Sequence, residues 1–254
     1  MFTFGAGVMI GTPYQDGSGA LVSVPSPVQF GVLQDVSCDE TFETKMLHGA
    51  NKYPVAVRQG KGKVTFKAKL ALINAEMINT FMYGTTLVSS YQAIYNDLSG
   101  TLITTASNEQ VTPTIHGTAL ADMGVRSAVN GVAYTRVSTA PTAGQYGFSA
   151  ASGLYSFSPV DAGKTVFINY AYGDAAVTGG KLLTIPNQLM GIQPIFALDF
   201  CVNDGGKTLY FHYPRVISSK ISRAFKNDDF TIQDMDMEAF ADDSGNICYQ
   251  YYYE

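Results

Sequence analysis

The chain has 254 residues, of which 46% are hydrophobic and 15% charged, and its formal net charge is −5. Average soluble proteins carry roughly 25% charged residues, so we expect another copy of the chain to cover part of this weakly charged surface. The negative net charge argues against a dedicated nucleic-acid-binding protein. Trp is absent while Tyr and Phe number 16 and 15, and such aromatic richness with few charges favours strands over helices.

Cysteine and hydropathy patterns exclude several other classes. Cys38, Cys201 and Cys248 show no C-x-x-C spacing, so we expect neither a disulfide framework nor a zinc site, and a reducing compartment such as a cytoplasm fits best. The longest apolar stretch without charge, 182–198, contains Pro186 and Pro194. It predicts no membrane-spanning helix, and therefore no membrane partner.

The first 30 residues combine many glycines and prolines with one charge, Asp16. This composition fits either a solvated terminus or an arm that orders on a neighbouring copy. The apolar residues within it favour the arm, since they would remain exposed to water in a solvated tail.

Two strands and a helix follow. Residues 34–44 and, more clearly, 60–70 alternate between apolar and polar side chains, which is typical of strands with one buried face. Residues 46–59 break the alternation and are interpreted as a long excursion between these strands. Asn74 as N-cap, an apolar stripe at helical spacing and Gly84 as the C-terminal glycine predict one helix, packed on the sheet.

The second half of the sequence divides into two regions. From 107 to 177, short β-rich runs alternate with Pro, Gly and Ala-Ser turns, which predicts an inserted β-rich subdomain with an immunoglobulin-like sandwich as one candidate. Residues 178–254 return to longer strands, at 195–202, 207–213, 215–225 and 229–241, with a hairpin signal at Asn203-Asp-Gly-Gly206 and a further turn at 242–246. We therefore expect a mainly β protein, an antiparallel β-sandwich or half-barrel with one packed helix, whose core is formed by 1–106 and 178–254.

Few residues indicate chemistry. His48, His116 and His212 are far apart and lie near no nucleophile motif, so structural roles are the default. Asp234, Asp236 and Glu238 would share one strand face, about 6.5–7 Å apart. That spacing is open to a hydrolase pair, a cation site, a salt-bridged interface or a solvated acidic face. The acidic face is favoured, because a glycosidase sets its carboxylates on different strands. The sequence predicts no enzyme and no cofactor.

Charge is distributed unevenly along the chain. Residues 51–69 contain six basic residues and no acid, whereas residues 227–254 contain eight acids and no base. A nucleic-acid site could explain the basic run, but attraction between copies is more economical, since opposite charges on different surfaces favour head-to-tail association.

Two runs of sequence resemble a known family. VQFGVLQDVSCDETFETKMLHGANKYPVAVRQGKGKVTFKAKLALINAEMINTFMYG (28–84) resembles the amino-terminal half of the tail tube proteins of long-tailed bacteriophages, and AFKNDDFTIQDMDMEAFADDSGNI (224–247) resembles their closing strand and hairpin. Together these runs cover about half the chain. The β-rich insert departs from the minimal family pattern.

The resemblance implies a structural function. It implies a virion protein, assembled in the host cytoplasm, whose hexameric rings stack head to tail into a hollow tube around a tape-measure protein. Tail terminator and tail-tip proteins would be further partners, and DNA would pass through without specific binding. The tube of a tail-derived bacteriocin or secretion device, or a tail terminator, is the alternative, and an enzyme or carbohydrate-binding module remains as a different class.

Site residues follow from the alternation and the resemblance together. Strands 34–44, 61–70, 215–225 and 229–240 are expected to form a sheet lining the lumen. Its polar face would present Asp35, Asp39, Glu43, Lys63, Lys67, Lys69, Lys220, Asp234, Asp236 and Glu238. The arm (1–30) and the stacking loop (46–59) are expected to contact the next ring. Candidate contacts are Phe2, Phe4, Met9, Ile10, Lys52, Tyr53 and Arg58.

Overall fold

The structure, a computed structural model, describes residues 5–50, 52–72, 74–104, 109–111, 118–174 and 177–253. It divides into two compact units, one formed by Met1–Leu87 with Leu183–Glu254 and the other by Val88–Leu182. The second unit therefore extends beyond the predicted insert, 107–177, at both ends.

Strands dominate both units, and the expected mainly β, antiparallel fold with one helix is confirmed. The strands are β1 (Val8–Gln15), β2 (Val28–Gln29), β3 (Leu33–His48), β4 (Pro54–Leu70), β5 (Val88–Ser89), β6 (Gln92–Tyr95), β7 (Thr101–Leu102), β8 (Glu109–Val111), β9 (Thr118–Ser127), β10 (Thr135–Arg136), β11 (Gln145–Ser149), β12 (Leu154–Phe157), β13 (Thr165–Gly173), β14 (Lys181–Leu182), β15 (Ile195–Asp204), β16 (Lys207–Arg223), β17 (Gln233–Ala239) and β18 (Tyr249–Tyr253).

The first unit is built on one antiparallel sheet with the strand order β2-β1-β15-β16-β17-β4-β3. The long strand β16 organises it. Its first half pairs with β15 on one side and with β18 on the other, because Thr208–His212 have partners on both strands. Its second half pairs with β17, which lies on the same side as β18. β17 and β18 therefore follow one another along a single edge of β16.

The alternation of β4 and β17 creates the core of this unit. Val64, Phe66, Ala68 and Leu70 are buried, and so are Gln233, Met235 and Met237 on β17. Because successive side chains of a strand point to opposite faces, the residues between them are directed outward.

The predicted helix closes this core. Helix α1 (Ala75–Ile78) continues into a π-helical turn (Asn79–Tyr83). Asn74 caps α1 by accepting a hydrogen bond from the Glu76 amide at 2.9 Å, and Gly84 ends the turn in the left-handed conformation. The buried residues Met77, Ile78 and Phe81 pack against the sheet.

The hairpin between β15 and β16 is also as predicted. Asp204 pairs directly with Lys207, so that Gly205 and Gly206 alone form the turn. Both glycines have positive φ, 58° and 84°, as a type I′ turn requires.

The interpretation of residues 1–30 as an arm is wrong for the strand β1. Val8–Gln15 pair with β15 inside the sheet, and Met9 is 1% exposed in the core. A Cβ on Gly11 would overlap the ring of Phe81, so the glycine that suggested a loose segment permits close packing. Met9 cannot contact another copy without unfolding this edge.

Three other sequence interpretations are corrected. Residues 46–59 are not an excursion, since β3 and β4 remain paired from Thr44↔Gln59 to His48↔Pro54. The runs 207–213 and 215–225 form the single strand β16, with a register shift around Pro214, because proline is tolerated in a strand at a bulge. β18 does not close a hairpin with β17 but pairs with β16.

The second unit has its own core. β10-β11-β12-β8 form one sheet, β13 carries β6 and β7 on one side and β9 on the other, and β5 pairs with β14. Tyr155, Phe157 and Tyr170 are among its buried side chains. The region 107–177, in which short β-rich runs predicted a subdomain of strands, contains β8 to β13, and residues 107–108, 112–117 and 175–176 lie outside the described residues.

A buried carboxylate links the two larger sheets of this unit. Asp122 on β9 accepts hydrogen bonds from the hydroxyls of Tyr146 at 2.7 Å and Tyr155 at 3.0 Å. Arg136 lies 3.6 Å from the same carboxylate. Burial, followed by the interaction with Asp122, raises the pKa of both tyrosines above the ordinary value.

Candidate functional site

The four strands expected to line a lumen are neighbours in the structure, in the order β16-β17-β4-β3. Their outward residues meet in register. Asp236 pairs with Lys67 on one side and Lys220 on the other, and Lys69 lies between Asp234 and Asp35. We call this outward surface the charged face; it carries nine of the ten predicted residues, of both signs. The tenth, Glu43, lies at a register shift of β3 beyond the end of β17.

Ion pairs connect the strands across the charged face. Lys63 Nζ lies 2.8 Å from Glu238 Oε1, Lys69 Nζ 3.5 Å from Asp35 Oδ2, and Lys220 Nζ 3.8 Å from Asp236 Oδ2. These side chains are largely exposed, so each pair contributes only about 0–1 kcal/mol to folding. The ion pairs of the charged face therefore contribute little to the stability of the fold.

The charged face contains an open depression. Its volume is about 300 Å³, and it is lined mainly by Asp35, Lys67, Lys69, Lys220, Asp234 and Asp236. Asp39 pairs with Thr65, which also pairs with Glu238, so it lies on the same face. In the described part of the chain, no group of three or more His, Cys, Asp or Glu is placed to hold a metal ion.

Beyond the charged face, the β3–β4 hairpin continues past the point where a third strand pairs with it. β17 ends opposite Val64, and residues 41–63, which we call the ribbon, extend past this point. From Val64 to Pro54 the strand covers roughly 30 Å. All described residues of the ribbon are exposed except Pro54 and Gly60, which are half-buried.

Large apolar side chains on the ribbon remain uncovered. Leu47 is 64% exposed and Tyr53 75% exposed, and Phe42, Met46, Val55 and Val57 are also exposed. A two-stranded hairpin is only marginally stable alone in water, and a cluster of exposed apolar residues marks an interaction surface.

The predicted ring-contact residues have different locations. Lys52 and Tyr53 lie at the ribbon turn, and Arg58 lies opposite Lys45 near the tip. Ile10 is half-buried in β1. Phe2 and Phe4 lie outside the described residues. The sequence interpretation missed Phe42, Met46, Leu47, Val55 and Val57, although the alternating Val55-Ala-Val57 was a strand signal.

Several strand edges have no partner among the described residues. Within the part of the chain that the structure describes, β3 pairs only with β4, and Ile217–Arg223 of β16 pair only with β17. The pairing of β15 with β16 ends at Val216. The four-stranded group therefore ends in an open edge on each side, one of them sixteen residues long.

Comparison of the sequence with protein-family models and with curated proteins gives no match. Within the described residues, no helix is long and apolar enough to cross a membrane.

Proposed function

We propose that the chain is a non-enzymatic structural subunit that joins copies of itself into rings stacked as a hollow tube, like the phage tail tube proteins that it resembles. The observation that carries the proposal is the four-stranded group with two open edges, from which an uncovered apolar ribbon projects. Exposed edges of this length promote uncontrolled aggregation unless something pairs with them.

Strand direction is compatible with closure of such a ring. β16, β17, β4 and β3 are successively antiparallel. With an even number of alternating strands, β3 of one copy would run antiparallel to β16 of the next. Repeating the unit around a circle gives a barrel in which every edge is paired.

The charged face would line the channel of this barrel. The nine predicted residues on it comprise five carboxylates and four lysines, so they contribute one net negative charge per copy. Phosphates bind where Lys and Arg are free to neutralise them. Lysines beside carboxylates hold DNA weakly, which suits passage.

The finer features of the proposal rest on the resemblance. These are the ring size of six, the place in a virion, and the partnership with tape-measure, terminator and tip proteins. The tube of a tail-derived device shares the same open edges and ribbon, and it is the second candidate.

Blocking the β3 edge tests the proposal. Asp39→Pro and Glu40→Pro are compared, since successive amides of an edge strand point alternately towards β4 and away from it. One of the two variants removes only an amide that points away from β4, and this variant should remain folded. That folded variant should form no rings by negative-stain electron microscopy, whereas the unmodified chain should form rings or tubes. Rings of normal size from the folded variant would contradict the proposal.

A further inference from the structure

Two of the three cysteines lie close together in the first unit, although they are far apart in the sequence. Cys38 lies on β3. Cys248 immediately precedes β18, whose first residue, Tyr249, pairs with His212 of β16. In this antiparallel register Cys248 lies beside Tyr213. The side chain of Tyr213 therefore connects the two cysteines.

The hydroxyl group of Tyr213 is in contact with both thiols. Cys38 Sγ lies 3.3 Å from the Tyr213 hydroxyl oxygen. Burial, followed by hydrogen bonds with the thiols of Cys38 and Cys248, raises the pKa of this hydroxyl above its ordinary value. Because both sulfur atoms contact the same oxygen atom, they are neighbours at the edge of the core.

A second contact holds the same two segments together. Gln250 Nε2 donates a hydrogen bond to Glu40 Oε1 at 3.3 Å. Gln250 and Glu40 each follow a cysteine by two positions, so their side chains point to the same side of the chain as the two thiols. The start of β18 therefore faces β3 at two successive positions.

The two cysteines differ in exposure. Cys38 is exposed, whereas Cys248 is half-buried and packs against the core of the first unit. A small reagent in solution therefore reaches Cys38 first. Partial burial of the sulfur atoms raises the pKa of both thiols, so that they are protonated at neutral pH and react slowly.

The third cysteine is separated from this pair. Cys201 pairs with Tyr210 of β16, and Tyr210 and Tyr213 point to opposite faces of that strand. The Cys201 thiol thus lies on the other face of the sheet, where its Sγ is 3.7 Å from Asn203 Oδ1. It serves as an internal control for any reaction of the pair.

We propose that Cys38 and Cys248 form a disulfide bond when the chain passes from a reducing environment to one that contains a low-molecular-weight disulfide. The Cys38 thiolate attacks one sulfur of that disulfide and displaces the other as a thiolate. The Cys248 thiolate then attacks the Cys38 sulfur of the mixed disulfide and displaces the second small thiolate. Two protein thiols are oxidised, one small disulfide is reduced, and both protons pass to the small thiolates.

The bond fastens the last strand of the first unit to an outer strand of the sheet. Within the described residues, β18 pairs only with β16, and its side chains are exposed. A disulfide stabilises a fold mainly by restricting the unfolded chain, and the effect increases with the length of the loop that it closes. The oxidised chain is therefore the more stable form.

Thiol counting tests the inference on the unmodified chain, with oxidised glutathione as the probe. Free thiols, counted in urea, should decrease from three to one. The mass of the chain should fall by two hydrogens, and a peptide map should join Cys38 to Cys248 within one chain. Three free thiols, a lasting glutathione adduct, or a bond that includes Cys201 or a second chain would overturn the inference.

Single variants identify the role of each cysteine. Cys201→Ser should leave the reaction unchanged, because its thiol lies on the other face of the sheet. Cys38→Ser should prevent the bond, and Cys248→Ser should stop the reaction at a mixed disulfide of Cys38 with glutathione. An intrachain bond in either of the last two variants would contradict the assigned pair.

Urea unfolding of the Cys201→Ser chain measures the consequence of the bond. Oxidation should raise the midpoint by roughly 1 M, and dithiothreitol should reverse the change. An unchanged midpoint would contradict the fastening of β18 to β3. Because the reaction takes place within one copy, its outcome is independent of whether the chain assembles into tubes.

Discussion

Gly11 shows how one residue determines the position of the amino-terminal strand. Its backbone passes so close to Phe81 that no side chain fits between them. Phe81 in turn stacks on Phe30 with ring centroids 4.7 Å apart. The sequence indicated only a flexible glycine here, because the ring that requires it lies 70 positions away.

Gly11→Ala should therefore destabilise the first unit. The added methyl group must displace a buried ring, and overpacking of this kind costs about 1–3 kcal/mol. Gly49→Ala is the matched control, since its Cβ would make only an ordinary contact 3.6 Å from Val55. Urea unfolding of both variants measures the difference, and equal midpoints would contradict this packing.

Tyr210 gives the first unit a dependence on alkaline pH. Its hydroxyl donates a hydrogen bond to Asp199 at 2.6 Å. Burial, followed by this hydrogen bond, raises the pKa of Tyr210 to about 12. The folded state thus favours the neutral phenol, so its contribution to stability is complete below pH 10 and is lost as the pH rises through 12.

Tyr210→Phe should lower stability at neutral pH and change it less at high pH. The difference in free energy of unfolding between the original chain and the variant should decrease from pH 10 to pH 12. Urea unfolding at a series of pH values measures it. A difference that stays constant over this range would exclude the proposed linkage.

At the scale of elements, the sequence predicted the part of the β3–β4 hairpin that lies in the sheet but not the ribbon that extends from it. The alternation of Val64, Phe66, Ala68 and Leu70 predicted a strand and its buried face. The tip was misinterpreted because His48-Gly-Ala-Asn and Tyr53-Pro54 contain strand-breaking residues, although proline is tolerated at the first position of a strand. The ribbon also buries no face of its own, so hydrophobic periodicity marked it only in the short alternation Val55-Ala-Val57.

The pairing of β18 could not be predicted for a different reason. The turn at Asp242 is present, with the Asp242 amide donating to the Asn246 carbonyl at 2.9 Å. A local turn signal does not say which strand lies beside the next one. Here β18 continues the line of β17 along β16, an arrangement fixed by the length of β16.

Removing the ribbon tip should uncouple folding from stacking. A chain in which residues 44–59 are replaced by Asn-Gly should keep its unfolding midpoint within a few degrees, because the tip contributes no side chain to the core. Rings should form but not stack. Calorimetry and electron microscopy measure the two effects, and full-length tubes from this variant would exclude the ribbon as the stacking element.

At the scale of the whole molecule, the second unit is inserted through neighbouring points of the chain. Val88 pairs with Leu182 and Ser89 with Lys181, so the chain enters and leaves this unit through paired strands. Each unit has its own buried cluster. The sequence indicated the insert from its turn-rich texture, but the short strands β5 and β14 at its ends carried no recognisable signal.

Excision of the second unit should leave the first unit folded and competent for assembly. Residues 88–182 can be replaced by a linker of a few residues, since directly paired residues have Cα atoms only about 5 Å apart. Circular dichroism should show a cooperative β-sheet transition, and electron microscopy should show tubes. An unfolded product would mean that the first unit depends on the second.

The central claim is that strand edges left open in one copy pair with those of identical neighbours. A cryo-electron microscopy reconstruction of the assembled protein tests it most directly. We predict a continuous barrel in which β3 of one copy pairs antiparallel with Ile217–Arg223 of the next, with the charged face towards the channel. A monomeric particle, or rings in which these two edges remain unpaired, would contradict it.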